Sequence, residues 1–254
     1  HNTTHQPMAA EVFDRTFDPS VIERVDIDLP DASTTDPKLA FVLRNVLSRE
    51  ECERLIALSE RNTYSTALLN VGGGNEVLET NVRDSSRHIR DDEEMADVMF
   101  QRLRPFLPTT WKNSELVSLN ERLRFLRYDP GQRFEPHYDG TFQRKSGLKA
   151  GERSYITVQL YLNEGFEGGE TTFLSESGRV PVAYVPETGS VLIFQHRLLH
   201  EGSAVRSGRK YTIRTDVMYR PRIGRLGMIA TTLTIAGLVL LGVTRYSQRA
   251  GAAQ

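Results

Sequence analysis

From Glu121 onward the chain is a succession of short runs broken by turns: RLRFLRYDP, RFEPHYDG, SYITVQLYLN, ETTFL, VPVAYVP, GSVLIFQ and KYTIRTDVMYR. Runs of this length, alternating or continuously apolar and bounded by Gly, Pro, Asp and Asn, read as strands rather than helices. Seven of them at close spacing predict an antiparallel sandwich or barrel. Two helices stand in front. SREECERLIALSER opens on Ser48 with Glu51 three residues later, a capping box, and Cys52, Leu55, Ile56 and Leu58 form its apolar stripe. DDEEMADVMFQRLRPFLP starts on the acidic residues Asp91 to Glu94, turns Met95, Val98, Met99 and Leu103 inward, and stops near Pro105 or Pro108. The expected fold is mainly β with supporting helices, a jelly roll buttressed on one sheet.

At 254 residues with 39% apolar and 26% charged residues, the chain can bury one good core. A formal net charge of −1 supplies no basic field, which argues against a nucleic-acid partner. Residues 1–38 are rich in Thr, Pro and Asp and read as a mobile acidic lead-in, with one strand at Val21–Leu29. Cys52, the single cysteine, sits in a helix stripe and reads as a buried structural thiol. VGGGN at Val71 to Asn75 lacks the Lys-Ser or Lys-Thr of a phosphate loop and reads as a hairpin tip.

The chemistry concentrates in RYDPGQRFEPHYDGTF. Residues i and i+2 of a strand share a face, so His137 and Asp139 can aim a nitrogen and an oxygen at one point. Sixty-one residues later His200 follows the buried run GSVLIFQ, completing two histidines and one carboxylate. That set fills one face of an octahedral Fe(II) and leaves the other positions for a bidentate 2-oxo acid and O₂. Ten residues beyond His200, Lys210 opens the next strand and can carry an ammonium group to the distal carboxylate of that acid. His196 competes with His200, since HRLLH has helical spacing, but Arg197 stands where a zinc-protease motif needs glutamate. The His-Glu-Gly ending and the spacing to Lys210 favour His200. His88 reads as a surface residue, and His1 and His5 belong to the lead-in.

Tyr128, His137-x-Asp139, GGETTF at Gly168 to Phe173, GSVLIF, His200 and Lys210, in that order, resemble the prolyl 4-hydroxylase-like family of 2-oxoglutarate, Fe(II)-dependent dioxygenases. The resemblance covers roughly residues 39–222. It implies a double-stranded β-helix in which His137, Asp139 and His200 take the iron. By the same resemblance Lys210 holds the C5 carboxylate of 2-oxoglutarate and Tyr128 adds a hydrogen bond to it, with ascorbate as the accompanying reductant. The implied reaction is hydroxylation with release of succinate and CO₂. A peptidyl proline is the first substrate to consider, with other residues and small molecules open. A carboxylate at Asp139 argues against halogenation, because related halogenases lack it to make room for halide.

Three further groups are expected near the site. Tyr155, Thr157, Gln159 and Tyr161 share a strand face that lines either the pocket or solvent. Thr171 and Thr172 are near-iron candidates or ordinary strand residues. Arg214, on Lys210's face, contacts the co-substrate, the substrate or Asp216. Arg122, Arg124 and Arg127 are expected on an outer strand face. Finally, residues 226–244, LGMIATTLTIAGLVLLGVT, form 19 residues without a charge, flanked by Arg225 and Arg245. At 1.5 Å per residue such a helix reaches about 28 Å, close to a bilayer's apolar thickness. The expectation is a C-terminal transmembrane helix with a short tail, 245–254, a single-pass anchor holding the catalytic domain on the cytosolic side. The rival readings are a noncatalytic membrane-tethered scaffold and a cupin-type metal dioxygenase without an oxo-acid co-substrate.

Overall fold

In the strand Arg153–Tyr161 neither face carries a charge beyond its first residue, so it can lie inside a sandwich rather than on its surface. Its flanking partners are Val191–Gln195 and Lys210–Pro221, both antiparallel. The computed structural model describes residues 8–222 apart from 15, 34, 68, 73–74 and 78–83. Among these, the larger sheet has ten strands. Its order is Glu23–Asp26, Ala40–Arg44, Val191–Gln195, Arg153–Tyr161, Lys210–Pro221, Arg122–Tyr128, Ser86–Asp91 and Ser65–Thr66. Ser114–Leu119 joins the far half of Lys210–Pro221 and carries Thr110–Trp111. A four-stranded sheet, Phe134–His137, His200–Gly202, Thr171–Phe173 and Val182–Tyr184, is the second layer.

Two helices cover the outer face of the larger sheet. α2 (Arg49–Glu60) begins on the predicted capping box: Ser48 accepts the N–H of Glu51 and the Glu51 carboxylate accepts the N–H of Ser48. α3 (Glu93–Leu103) starts on Asp92, whose carboxylate caps Met95 N–H at 3.0 Å. Leu55, Met95, Met99 and Leu103 from these helices join Ile156, Val158 and Leu160 of the central strand in the main core. A second apolar cluster, with Tyr161, Phe173, Leu192 and Phe194, fills the space between the sheets. This is a mainly β jelly roll with helices on one side. All seven runs read as strands from Glu121 onward contain strands.

From Met8 the lead-in is built into the fold instead of loose. α1 (Met8–Val12) buries Ala9 and Val12, Phe13 follows, and Arg54 donates to Val12 O at 2.8 Å. The acidic composition hid a few apolar residues that pack against α2 and α3. Glu51 and Arg102, both buried, pair at 2.7 Å, and the N–H of Asp14 donates to the same carboxylate at 2.6 Å. The expected strand over 21–29 is shorter, Glu23–Asp26, after a 3₁₀ turn Pro19–Val21. Leu69–Gly72 pairs with Asn75–Val77 around the Gly-rich tip, which agrees with a hairpin. Cys52 is wholly buried, and burial pushes its thiol up to about 12, as befits an inert structural residue. His88 differs from expectation: it lies in Ser86–Asp91, half-buried, with its ring against Tyr64 and Phe125. The sequence offered no alternation to reveal that strand. No helix among the described residues is long and apolar enough to cross a membrane, and the 226–244 segment lies outside the described residues.

Candidate active site

The antiparallel register sets His137, at the end of its strand, directly opposite His200, at the start of its own. Asp139, two residues on, is fixed by its N–H donating to His196 O at 3.1 Å. His137 Nε2 lies 3.7 Å from Asp139 Oδ1, and His200 Nε2 lies 3.8 Å from Oδ2. One donor atom from each of the three residues falls within 4.8 Å of the others.

Both imidazoles are held in the same way. His137 Nδ1 is 2.7 Å from Glu135 O and His200 Nδ1 is 2.9 Å from Leu198 O. A carbonyl oxygen only accepts, so each Nδ1 carries the proton and each Nε2 turns a lone pair into the cluster, the arrangement metal-ligating histidines use. Burial, reinforced by the neighbouring His200, pushes His137 down to about 3, and burial also lowers His200. Both rings are therefore neutral near pH 7. Phe134 stacks on His137 at 3.6 Å between centroids and Phe194 meets His200 edge-on at 4.6 Å, clamping the rings.

Asp139 is buried, which alone would raise its carboxyl; Arg214 at 2.8 Å, with the two imidazoles, more than offsets this and holds it well below the usual carboxylate range. Thr157 Oγ1 donates to its other oxygen at 2.5 Å. Each carboxylate oxygen has two lone pairs, so these contacts fix the plane of the group and still leave acceptor capacity for a metal. Two neutral imidazoles and one carboxylate on one side of a cavity suit Fe(II).

Lys210 begins the strand Lys210–Pro221 opposite Tyr128, so the two lie side by side in the same cavity. Lys210 is buried, donates to Gly169 O at 2.6 Å, and lies 5.3 Å from the Tyr128 ring centroid and 5.4 Å from that of Tyr161. Burial pushes it down to about 8, with Glu170 partly opposing. The Gly-Gly of GGETTF has a steric purpose here. A Cβ on Gly169 would stand 3.2 Å from Lys210 Cδ, and one on Gly168 would stand 2.1 Å from Ala204 O.

The cavity, of about 450 Å³ including its mouth, lies between the two sheets and takes in the triad, Tyr128, Lys210 and Arg214. Thr157, Gln159 and Thr171 also line it, and Tyr161 donates to or accepts from Thr171 at 2.7 Å. Tyr155 does not line it: a bulge between Ser154 and Ile156 breaks the alternation, and Tyr155 packs by Tyr219 instead. Thr172 bonds Ser203 outside the cavity. HRLLH forms no helix; His196 is buried with Nε2 3.4 Å from Asp216 Oδ1, apart from the triad. Asp216, expected only as one possible partner of Arg214, stands beside the site. It lies opposite Thr157 and is approached by Arg124 and Arg214, each at 3.5 Å; burial opposes but Arg214 prevails, keeping it down at about 2. Arg124 is thus half-buried in the site's surroundings instead of on an outer face. Parity could have shown this, since Arg124 and Tyr128 are four residues apart on one strand.

A two-histidine, one-carboxylate cluster between the sheets of a jelly roll, with a buried lysine in the same cavity, is the arrangement of a non-haem iron oxygenase. Residues 123–215 match the sequence profile of the 2OG-Fe(II) oxygenase superfamily. Probable prolyl 4-hydroxylase 8 of Arabidopsis thaliana is 30% identical over 199 residues, covering 68% of this chain and 66% of its own length. Among solved structures, the viral collagen prolyl hydroxylase of Paramecium bursaria Chlorella virus-1 is similar with a TM-score of 0.50 at 24% identity, over 73% of this chain and 99% of that one. A Trichoplax adhaerens prolyl hydroxylase, solved with a hypoxia-inducible-factor peptide, gives 0.52 at 16% identity over 70% and 82%. These two establish likeness of fold. The chain belongs to the prolyl 4-hydroxylase-like family of 2-oxoglutarate, Fe(II)-dependent dioxygenases.

Proposed function

We propose that this protein is a 2-oxoglutarate- and Fe(II)-dependent dioxygenase that hydroxylates a peptidyl residue, proline first, while tethered to a membrane by residues 226–244. The observation that carries the reading is the pairing of two Nε2 lone pairs and a carboxylate with a buried ammonium in one cavity. His137, Asp139 and His200 would hold the iron and Lys210 the distal carboxylate of 2-oxoglutarate, with Tyr128 beside it. Bound together, the metal and co-substrate supply the oxidising chemistry: O₂ is divided between succinate formation with loss of CO₂ and a hydroxyl placed on the substrate. The chain's own contribution is positional. The backbone carbonyls of Glu135 and Leu198 hold the imidazole protons away from the cluster, Arg214 and Thr157 hold the carboxylate plane, and Phe134 and Phe194 exclude water beside the rings. Substrate class is inferred from the relatives: the names of the Arabidopsis and viral proteins specify prolyl hydroxylation.

The test is succinate release with Fe(II), ascorbate and a proline-rich peptide. Asp139→Ala and His200→Ala are expected to abolish it with the circular dichroism spectrum retained, and His196→Ala to keep Fe(II) dependence. Wild-type release from Asp139→Ala would refute the iron assignment. Alkaline carbonate extraction of membranes tests the tether, which fails if the full chain is released.

A further inference from the structure

Three segments meet at the edge of the larger sheet where the chain leaves the described fold. Lys210–Pro221 ends there, with Arg222 N–H donating to Asn113 O at 3.1 Å, inside the tight turn Lys112–Asn113. Pro221 lies opposite Ser114 and Tyr219 opposite Arg153. Residues 142–152 lead into Arg153 and so occupy the same edge. They are fastened to it by Arg220 on Glu152 at 2.7 Å and by Arg144, which joins Glu121 to Glu152.

Basic side chains outnumber acidic ones at this edge. Leu148, at the tip of the loop, is wholly exposed, and Phe142 is exposed behind it. Around them stand exposed Lys112, Lys145, Lys149, Arg153, Arg220 and Arg222. Glu93, Glu152 and Glu115 pair with Lys149, Arg220 and Arg222. Lys112, Lys145 and Arg153 have no carboxylate partner among the described residues, and Lys112 only overlies the Tyr155 ring at 5.3 Å.

The uncharged run begins four residues past Arg222. Even fully extended, four residues reach only about 14 Å, and the polar headgroup layer is roughly 5–8 Å thick on each side. If residues 226–244 span a bilayer, at most about 6–9 Å separates Arg222 from the headgroups, so the edge holding it lies within about one Debye length of them. We propose that this edge rests on an anionic bilayer surface, with Leu148 inserted at the acyl boundary and Lys112, Lys145 and Arg153 at the phosphates. The inference rests on the tether reading above. Basic side chains that flank an apolar tip, close enough to the surface to escape salt screening, are what such a surface recognises.

The test uses the full chain in vesicles of phosphatidylcholine with or without phosphatidylserine. Leu148→Cys carries an environment-sensitive thiol dye; Cys52, buried with its thiol pushed up to about 12, does not compete for it. Val185→Cys is the control, exposed and next to Tyr184, whose ring packs on Tyr161 at the far end of the central strand. Flotation reads the tether and dye emission reads the surface. The expected result is flotation with a blue shift at position 148 that is larger with phosphatidylserine, absent at position 185, and cut back to the phosphatidylcholine level by Lys145→Glu with Arg153→Glu. Flotation with an unshifted dye overturns the proposal and leaves the tether standing. Failure to float overturns both. A shift with soluble polyglutamate but not with phosphatidylserine assigns the edge to an acidic polypeptide and overturns the proposal as well.

Discussion

Lys210→Ala is expected to raise the KM for 2-oxoglutarate by roughly tenfold to a hundredfold while Fe(II) affinity stays nearly constant. The magnitude follows from the setting of the ammonium. Lys210 is buried and its one acceptor among the described residues is Gly169 O at 2.6 Å, so a co-substrate carboxylate would bring a full counter-charge into contact with it. A charge-assisted hydrogen bond of this kind is worth about 1.5–3 kcal/mol, and about 1.4 kcal/mol is a factor of ten. The same residue predicts a pH dependence. With burial pushing Lys210 down to about 8, roughly nine-tenths of the free enzyme carries the ammonium at pH 7. Because the charged form binds the carboxylate, KM is expected to be flat below about pH 8 and to rise roughly tenfold per pH unit above it. Lys210→Arg keeps its charge throughout and should lose that inflection, although its wider fork fits poorly beside Gly169. Succinate release at varied 2-oxoglutarate and pH provides the measurement. An unchanged KM in Lys210→Ala, or a selective KM effect in Arg214→Ala instead, would refute the reasoning.

Two further predictions concern the frame around the site. Arg102→Met strips the counter-charge from buried Glu51, and breaking such a pair costs about 3–5 kcal/mol, read as a lower urea midpoint with turnover per folded molecule unchanged. Gly168→Ala puts a Cβ against Ala204 O at a φ of +77°, costing at least about 1–2 kcal/mol in backbone conformation alone; it should lower Tm and, by shifting Gly169 O, raise the KM for 2-oxoglutarate, and a wild-type Tm would contradict the crowding.

The parts of the site that could be read from the sequence are those set by local spacing. His137-x-Asp139 needs only strand parity, and Lys210 follows His200 through one short strand pair, so linear distance stands in for spatial distance. His200 over His196 was legible for the same reason. The place of Asp216 beside the site was not, because cross-strand register decides it, whereas Arg124 shares its strand parity with Tyr128 and the imidazoles' carbonyl partners lie only two residues back, at Glu135 and Leu198. Nothing in the residues near Thr157 announces that Asp216 will sit opposite it. The single bulge at Tyr155 likewise removed one residue from an otherwise correct face. His88 and its strand escaped notice because a half-buried strand at the margin of a sheet shows no clean alternation, and the lead-in did because five apolar residues in an acidic segment are enough to dock on a preformed core.

The little strand Glu23–Asp26 has all four side chains exposed and contributes nothing to the core, yet it occupies the whole hydrogen-bonding rim of Ala40–Arg44, four of whose five residues are buried. It acts as a seal. A fragment begun at residue 39, where composition alone would draw the boundary, would bare a row of unpaired backbone donors and acceptors on an apolar strand, the template on which other chains add in register. The polar segment that looks dispensable replaces an apolar margin with a short, charged one, a poor template for pairing between copies.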